Sequence, residues 1–509
     1  MSSLLRYAVG AASVVALLPA GAEAQTSPAP KETRQSPTPA TPVADSYPSA
    51  ATGEGATSEG YNLSRWAENW RSLCDPAKRD DPLDRLKCLA IDSNGDVYLT
   101  LSGELRLRVN ETTNPGLREA SAQRQDINRI VAGADLHVGP HFRAYGEIAH
   151  GGLDGRNLGT VAANLRNDLV VQQAFVEGNA RVAGAAVGVR YGRQEFTDGP
   201  NLLTSQRDNN TIRFVLNGAR AWVRGRRVRA DVFDFKFTSL GTEGTGDDRV
   251  DDGQRFSGIT LGIVLPPVAE GAKLYLDPFI WRLRDENASW GGVTAREERH
   301  YQGAHLWGEA GPLTLDWTVN HQGGSFGNRN IDAWQLLLAQ TYRIGSGSSA
   351  PRVGFHVDYA TGGGAYGEGT LRNALAPFGN NVYYSYQLAL TPTNLVALAP
   401  NVTFTPLEKL RVTAEYQLSW RDSAADAVYR ANGTAFAGTE LVGGHKVGDV
   451  ARLQAIYSLS PRVSLTGRYE HLAAGSVLTR AGYTDSDFLG GWISFRCKRG
   501  LRAALPVRL

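Results

Sequence analysis

The stretch at residues 97–110, VYLTLSGELRLRVN, alternates apolar and polar side chains. The apolar set is Leu99, Leu101, Leu105, Leu107 and Val109, and the polar set is Thr100, Ser102, Glu104, Arg106 and Arg108. Successive side chains of a β-strand point to opposite faces. The stretch therefore predicts a strand with one apolar face and one wet face.

The same alternation returns along the chain, most regularly in LRVTAEYQLSWR at 410–421. Strands of a soluble antiparallel sandwich also alternate, so a single strand leaves both architectures open. The connections separate them, because short turns such as GPH at 139–141 and SPR at 460–462 alternate with long, polar, glycine-rich stretches. Short turns on one rim and long loops on the other are typical of outer-membrane β-barrels.

Nine long stretches follow one another, and each joins two predicted strands. They lie at 110–128, 151–167, 197–210, 239–255, 285–299, 321–331, 361–380, 422–447 and 472–487. The sequence therefore predicts an all-β fold, a transmembrane antiparallel β-barrel of 18 strands. A barrel of that size encloses a water-filled lumen rather than a packed core.

Composition and charge exclude other classes of protein. The 509 residues have a mean hydropathy of −0.28, too polar for a bundle of membrane-spanning helices. With 53 basic and 51 acidic residues the formal net charge is +2, which is not the basic footprint of a nucleic-acid-binding protein. The chain has no HExxH or P-loop motif and its nine histidines are scattered, so we predict neither an enzyme, nor a metal site, nor a cofactor.

Five segments are predicted along the chain. They are a signal peptide at 1–24, a disordered Pro/Ser/Thr-rich spacer at 25–60, a periplasmic helical segment at 61–95, the barrel at 96–496 and a C-terminal tail at 497–509. The first has a positive charge, an apolar stretch and a small-x-small cleavage pattern, which predicts export from the cytoplasm. Cys74 and Cys88 are predicted to form a disulfide in the oxidising periplasm, with two unpaired thiols as the alternative.

Arginines recur on the wet faces of the predicted strands. A charge on the lipid face costs about 2 to 4 kcal/mol at mid-bilayer, so these side chains are predicted to face the lumen. The candidates from alternation are Arg106, Arg108, Arg143, Arg220, Arg421 and Arg468, together with Glu104 and Glu415. General wetting of a porin is the alternative role. Guanidinium groups bind carboxylates bidentately, and successive weak sites let a polyanion pass without being trapped.

Several segments together carry a family resemblance. They include LCDPAKRDDPLDRLK at 73–87, YLTLSGELRLRV at 98–109, RYGRQEF at 190–196, HLWGEAGPLTLDW at 305–317 and WRDSAADAVYR at 420–430. In their order and number they resemble the alginate export family of outer-membrane porins, over nearly the whole chain after the spacer. The resemblance implies an 18-stranded barrel with an arginine-rich constriction, partly occluded by loops, that passively exports an alginate-like polyuronate.

The resemblance also implies which arginines line the pore. Matching positions are Arg106, Arg108, Arg193, Arg421 and Arg430. Arg190 shares the segment of Arg193, but strict alternation puts the two on opposite faces unless a bulge intervenes.

The expected partners are an anionic polysaccharide, outer-membrane lipid and periplasmic proteins of an export complex, with no nucleic acid. Two other functions stay open at this stage. One is a diffusion porin for the uptake of small anions or sugar oligomers, and the other is an outer-membrane enzyme with its catalytic pair at a barrel rim.

Overall fold

The computed structural model describes residues 47–48, 58–59, 62–347, 349–363, 366–431 and 433–496. Within them, 18 long antiparallel strands close into one barrel. The strands are β1 (Val97–Thr112), β2 (Gln123–Val138), β3 (Phe142–Asp154), β4 (Asn167–Val182), β5 (Ala185–Gln194), β6 (Leu216–Arg224), β7 (Val228–Ser239), β8 (Arg249–Val264), β9 (Lys273–Trp290), β10 (Val293–Ala310), β11 (Leu313–Phe326), β12 (Arg329–Arg343), β13 (Arg352–Ala360), β14 (Leu395–Leu407), β15 (Leu410–Trp420), β16 (Lys446–Ser458), β17 (Val463–Ala474) and β18 (Ser486–Arg496). The predicted signal peptide, most of the predicted spacer and the predicted tail lie outside the described residues. Among the residues described, no helix has the length and apolar character needed to cross a membrane.

The barrel is closed by a seam between its first and last strands. β18 pairs with β1 from Phe488 opposite Thr112 to Arg496 opposite Glu104. All other long strands pair with their neighbours in sequence. A closed sheet has no free edge, so its backbone N–H and C=O groups are satisfied at membrane depth. The predicted 18-stranded antiparallel barrel is confirmed.

Alternation in β1 sorts side chains between the outer surface and the lumen. Leu105 and Leu107 are 40% and 50% exposed on the outer surface, which lipid covers in a membrane. Glu104 and Arg108 point the other way and are only 3% and 7% exposed. The lumen-facing side is buried because other parts of the chain fill the lumen at this level.

Two of the predicted long loops are wrong. Residues 285–299 and 321–331 belong to paired hairpins whose turns are only 291–292 and 327–328. Gly291 has a φ of 59°, the positive value that tight hairpin turns require. Polar and charged residues occupy both faces of these hairpin ends, because strands that extend past the lipid have water on their outer side. Their composition therefore resembles that of a loop although backbone pairing continues.

The two rims of the barrel differ. The rim with the predicted loops keeps seven longer connections, at 113–122, 155–166, 195–215, 240–248, 361–394, 421–445 and 475–485. The other rim has short turns such as 139–141, 183–184 and 225–227. Short turns face the periplasm in outer-membrane barrels, so the segment that precedes β1 lies at the periplasmic mouth.

Connection 195–215 folds into the lumen and is anchored on one wall by aromatic packing. Its Phe196 ring lies 4.5 Å from that of Phe233 on β7, and its Phe214 stacks at 4.8 Å on Phe378 of connection 361–394. Buried aromatic rings contribute much apolar area in fixed geometry. The anchored loop extends its tip, residues 208–210, to the wall formed by β1, β2 and β17.

Residues 62–90, here called the N-terminal plug, lie within the segment predicted to be helical and contain four short 3₁₀ turns. Asp75 and Asp81 each precede a proline and accept a hydrogen bond from the backbone N–H two residues on, so each Asp-Pro pair starts a new turn. Cys74 and Cys88 form a disulfide with Cα atoms 4.9 Å apart. The plug is thereby compact despite its lack of a long helix.

The plug is held by both strands of the seam. Arg65 donates hydrogen bonds of 2.7 Å to Glu104 of β1 and to Glu147 of β3. Arg496 of β18 donates a hydrogen bond of 3.1 Å to the backbone carbonyl of Asn62. Trp66 is 1% exposed and is buried among barrel side chains. The plug therefore occupies the periplasmic mouth.

Candidate functional site

Four arginines gather on the lumen side of the wall around the seam. Arg106 and Arg108 come from β1, Arg129 from β2 and Arg468 from β17. All four are buried or nearly so, and they face the tip of connection 195–215. Alternation places them together, because each occupies an inward position on a strand next to the seam.

Asp208 at the loop tip lies among three guanidinium groups. Its carboxylate accepts hydrogen bonds of 2.9 Å from Arg106 and 2.9 Å from Arg129, and it lies 2.6 Å from a nitrogen of Arg213. Burial alone would raise the pKa of Asp208, but the three cations outweigh it and hold the pKa well below its usual range. The loop tip therefore presents a permanent anion to this wall.

Arg108 and Arg468 form no ion pair with any carboxylate of the described residues. Arg108 donates to Asn110 at 2.6 Å, and both arginines donate to the side-chain oxygen of Asn209, at 3.1 and 3.0 Å. Both also lie over the ring of Trp492, at 4.9 and 5.0 Å. Amides and rings stabilise a guanidinium group without neutralising it, so the lumen carries uncompensated positive charge here.

Glu104 joins this arginine cluster to the plug. It accepts hydrogen bonds from Arg129 and, at 2.7 Å, from Arg65, while Arg106 lies 3.4 Å away. Arg496 of β18 lies 3.6 Å away as well, so a single carboxylate serves four guanidinium groups. This arrangement keeps the cluster cationic while it limits how strongly the arginines repel one another.

Arg143 and Arg190 lie closer to the periplasmic mouth, beneath the plug. Arg143 pairs with Asp135 at 2.7 Å, and Arg190 donates to Glu177 at 2.9 Å. The guanidinium of Arg190 also lies 3.9 Å from the ring of Trp66. These two arginines are lumen-facing, but they belong to a separate layer from the loop tip.

Arg220 and Glu415 belong to further ion-pair groups. Arg220 lies 2.9 Å from Asp231, on the side of the lumen where the aromatic anchor is. Glu415 accepts a hydrogen bond from Arg452 and lies 3.5 Å from His356. Neither residue contacts the tip of connection 195–215.

The structure places Arg193 on the outer face of β5, in contrast to the position inferred from the family motif. Arg193 pairs with Ala174 in a ladder without a bulge, and it shares its face with Tyr191, which is 67% exposed. Its guanidinium donates to the backbone carbonyl of Val171 and to Asn217. The family motif identifies Arg193 as a position along the chain, but the pairing of β4 with β5 decides which face of the barrel its side chain takes.

Arg421 and Arg430 belong to connection 421–445 rather than to a strand wall. Arg421 donates to the backbone carbonyls of Asp426, at 2.8 Å, and Thr439, at 2.6 Å, and so braces the loop. Arg430 lies 4.3 Å from the ring of Phe436 in the same loop. Both side chains hold this loop in shape and contact none of the four clustered arginines.

Sequence reasoning missed Arg129, Arg213, Asp208 and Asn209. Arg129 is flanked at alternate positions by Ile127 and Val131, which also face inward, so the polar character of this face is hidden around Arg129 although Asp135 shares it. The other three lie in a loop, where no periodicity reports direction. The only sequence signal is the composition of 206–213, QRDNNTIR, which concentrates acidic, amide and basic side chains.

Comparison with known proteins gives one family and one fold. A family model described as alginate export matches residues 97–491. No curated protein matches the chain. Among solved structures, OccAB1 of Acinetobacter baumannii is 12% identical with a TM-score of 0.52, over 78% of this chain and 96% of that one. A BenF-like porin from Pseudomonas fluorescens Pf-5 is 12% identical with a TM-score of 0.51, over 78% and 98%. OccK2 (OpdF) of Pseudomonas aeruginosa, solved in complex with glucuronate, is 11% identical with a TM-score of 0.50, over 78% and 97%. At these identities the structural likeness concerns the fold alone.

Proposed function

This chain belongs to the alginate export family, and on that premise we propose that the arginine cluster facing Asp208 and Asn209 is the constriction through which an anionic polysaccharide leaves the cell. The porin barrel of the outer membrane supplies the conduit. The polymer class that fits is a polyuronate, which carries one carboxylate on each sugar.

The uncompensated charge of Arg108 and Arg468 is the observation that carries this proposal. Their N–H groups donate to Asn209 and, for Arg108, to Asn110, and both guanidinium groups lie over the ring of Trp492. No carboxylate of the described residues neutralises them. An incoming uronate carboxylate exchanges an amide oxygen for a charged one, and charge-assisted hydrogen bonds are roughly twice as strong as neutral ones. Attraction at this point favours anions over cations and neutral sugars.

Asp208 keeps that attraction moderate. Its carboxylate already occupies Arg106 and Arg129, so a passing uronate competes with the loop tip for these two arginines. A small cavity between the tip and the wall is lined by Arg106, Arg108 and Arg129 and by residues 209–211. Weak, competed sites in succession let a polymer enter and leave.

The remaining parts of the proposal concern how the conduit is used. The protein acts without catalysis, and synthesis of the polymer behind it provides the driving force. The segment at 1–24 directs export across the inner membrane, and periplasmic proteins of an export complex deliver the polymer to the mouth. Apolar side chains of the outer surface, such as Leu105 and Leu107, contact outer-membrane lipid.

Planar-bilayer recordings on the purified mature chain test the constriction. Arg108→Gln with Arg468→Gln should lower the anion/cation permeability ratio about 30-fold, because about 0.5 kcal/mol for each charge at ~8 Å in water acts with opposite sign on anions and on cations. The control is Arg296→Gln, because Arg296 is half exposed on the outer surface. A double variant with the ratio of the unmodified protein would contradict the proposal.

Uptake of small anions through the same lumen is the second candidate. It is favoured by the porin fold shared with OccK2, which was solved with glucuronate. Deletion of the gene separates the two directions. Loss of secreted polymer supports export, whereas loss of growth on oligouronates with secretion intact supports uptake.

A further inference from the structure

Three aromatic rings and two arginines form a buried group between the plug and the barrel wall, here called the Trp66 site. It consists of Trp66 from the plug, Arg143 and Tyr145 from β3, Phe175 from β4 and Arg190 from β5. The rings of Tyr145 and Phe175 are stacked 5.3 Å apart, and Trp66 meets Phe175 edge-on at 6.3 Å. The group lies in the periplasmic half of the lumen, where a polymer from the periplasm arrives first.

Each arginine of the Trp66 site has a buried donor without a partner. Arg143 binds Asp135 through Nε and Nη2 at 2.7 Å, and Arg190 binds Glu177 through Nε and Nη2 at 2.9 and 2.5 Å. In both cases the Nη1 atom is buried and has no hydrogen-bond partner among the residues described. Buried donors are nearly always paired in proteins, so these two nitrogens are available to the acceptor oxygens of a ligand.

Trp66 currently makes the contacts that such a ligand would make. Its backbone carbonyl accepts a hydrogen bond from Arg143, and its ring lies 3.9 Å from the guanidinium of Arg190. Its indole N–H is buried and lacks a hydrogen-bond partner within the described part of the chain. A uronate residue likewise presents an acceptor oxygen to one arginine and the face of a sugar ring to the other.

The two residues before Trp66 hold it in place by charge and hydrogen bonding. The Arg65 guanidinium donates to Glu104 and Glu147, and the Ser64 hydroxyl donates to Glu195 at 2.7 Å. Glu104 and Glu147 belong to barrel strands and Glu195 to connection 195–215, and Glu147 also accepts a hydrogen bond of 2.8 Å from Tyr145. The position of the Trp66 side chain therefore depends on the hydrogen bonds of Ser64 and Arg65, because its own indole N–H makes none within the described residues.

We propose that the Trp66 site is the entrance site for a uronate residue of the polymer, and that Trp66 occupies it until polymer arrives. The carboxylate binds the free Nη1 donors of Arg143 and Arg190, and the sugar ring packs on the rings of Tyr145 and Phe175. Asp135 and Glu177 neutralise the charge of the two arginines, so the hydrogen bonds from the Nη1 atoms, rather than net charge, hold the uronate carboxylate. The proposal rests on the proposed function for the identity of the ligand.

Calorimetric titration of the mature chain in detergent tests the entrance site. The probes are an oligomannuronate of six residues and the neutral cellohexaose. The proteins are the unmodified chain, Trp66→Ala, Trp66→Ala with Arg190→Gln, and Arg296→Gln as the control for loss of one charge. A site masked by its own side chain gains apparent affinity when the mask is removed. Trp66→Ala should therefore bind oligomannuronate about tenfold more tightly, and Arg190→Gln should abolish the gain.

Three results would overturn the proposal, provided that heat-dependent gel mobility shows a closed barrel for each variant. They are oligomannuronate affinity that Trp66→Ala leaves unchanged or lowers, an equal gain for cellohexaose, and a gain that survives Arg190→Gln. Failure of the export function is seen separately, as an unchanged ion preference when Arg108 and Arg468 are replaced. A chain can thus lose the entrance site and keep its anion-selective constriction, or the reverse.

Discussion

Arg65→Gln should detach the N-terminal plug from the barrel wall. Arg65 is 4% exposed, and its donors reach two carboxylates, Glu104 and Glu147, at 2.7 Å each. Burial alone would lower the pKa of Arg65, but the two carboxylates outweigh it and raise the pKa, so the group stays a cation. The substitution removes that cation and leaves both carboxylates buried with one partner fewer.

The expected size follows from the burial of this ion-paired group. Removing one partner of a buried ion pair costs about 3 to 5 kcal/mol. This free energy is lost from the equilibrium between the bound and the detached plug, because the backbone hydrogen bonds of the barrel do not involve Arg65. About 4 kcal/mol lowers the seating equilibrium constant about a thousandfold.

Hydrogen exchange measured by mass spectrometry on peptides from residues 62–90 follows the plug directly. The amide of Ala67, bonded to the carbonyl of Ser64 at 3.0 Å, should exchange far faster in Arg65→Gln. Arg71→Gln is the control, because Arg71 lies in the same segment and is exposed. Equal protection of the plug in Arg65→Gln and the unmodified chain would refute the reasoning.

Three further outcomes are expected. Because the pKa of Asp208 is lowered, its ion pairs stabilise the loop tip above the ordinary aspartate range near pH 4 and are lost only as pH falls through the lowered value. The anion/cation ratio should thus differ between the unmodified chain and Asp208→Asn by a constant factor from pH 7 to about 4; a difference that vanishes by pH 5 in bilayer recordings would contradict this. Reducing the disulfide between Cys74 and Cys88, 14 residues apart, should destabilise the plug by about 3 kcal/mol and speed its proteolysis, and an unchanged cleavage rate would argue otherwise. Leu107→Arg should lower the free energy of unfolding in vesicles by about 2 to 4 kcal/mol, whereas Leu441→Arg, at an exposed loop position, should leave it unchanged.

The barrel could be predicted because lipid acts on every second residue of a strand. In β1, the free energies of transfer into lipid of Leu107 and Arg108 differ strongly. Leu107 therefore faces the lipid and Arg108 the lumen, which sets the orientation of every other side chain of the strand. That constraint ends where the strands leave the lipid. The ends of the β9–β10 and β11–β12 hairpins carry charges on both faces, so their sequences look like loops although they are paired.

The candidate site was only partly predictable, for a related reason. Arg106, Arg108 and Arg468 follow from alternation because they lie on strands. Asp208 and Asn209 do not, because the path of their loop depends on aromatic contacts between residues far apart in sequence, such as Phe214 with Phe378. Such contacts arise only once the barrel has brought the two connections together.

The plug bridges the two ends of the barrel sequence, and this has a consequence for assembly. Glu104 on the first strand binds Arg65, and Arg496 on the last strand binds the carbonyl of Asn62. In a sheet whose last strand is not yet paired with the first, the contact from Arg496 to the plug is missing. We therefore expect residues 62–90 to be held less firmly before the seam closes than after it, so that protection of the plug reports closure of the barrel.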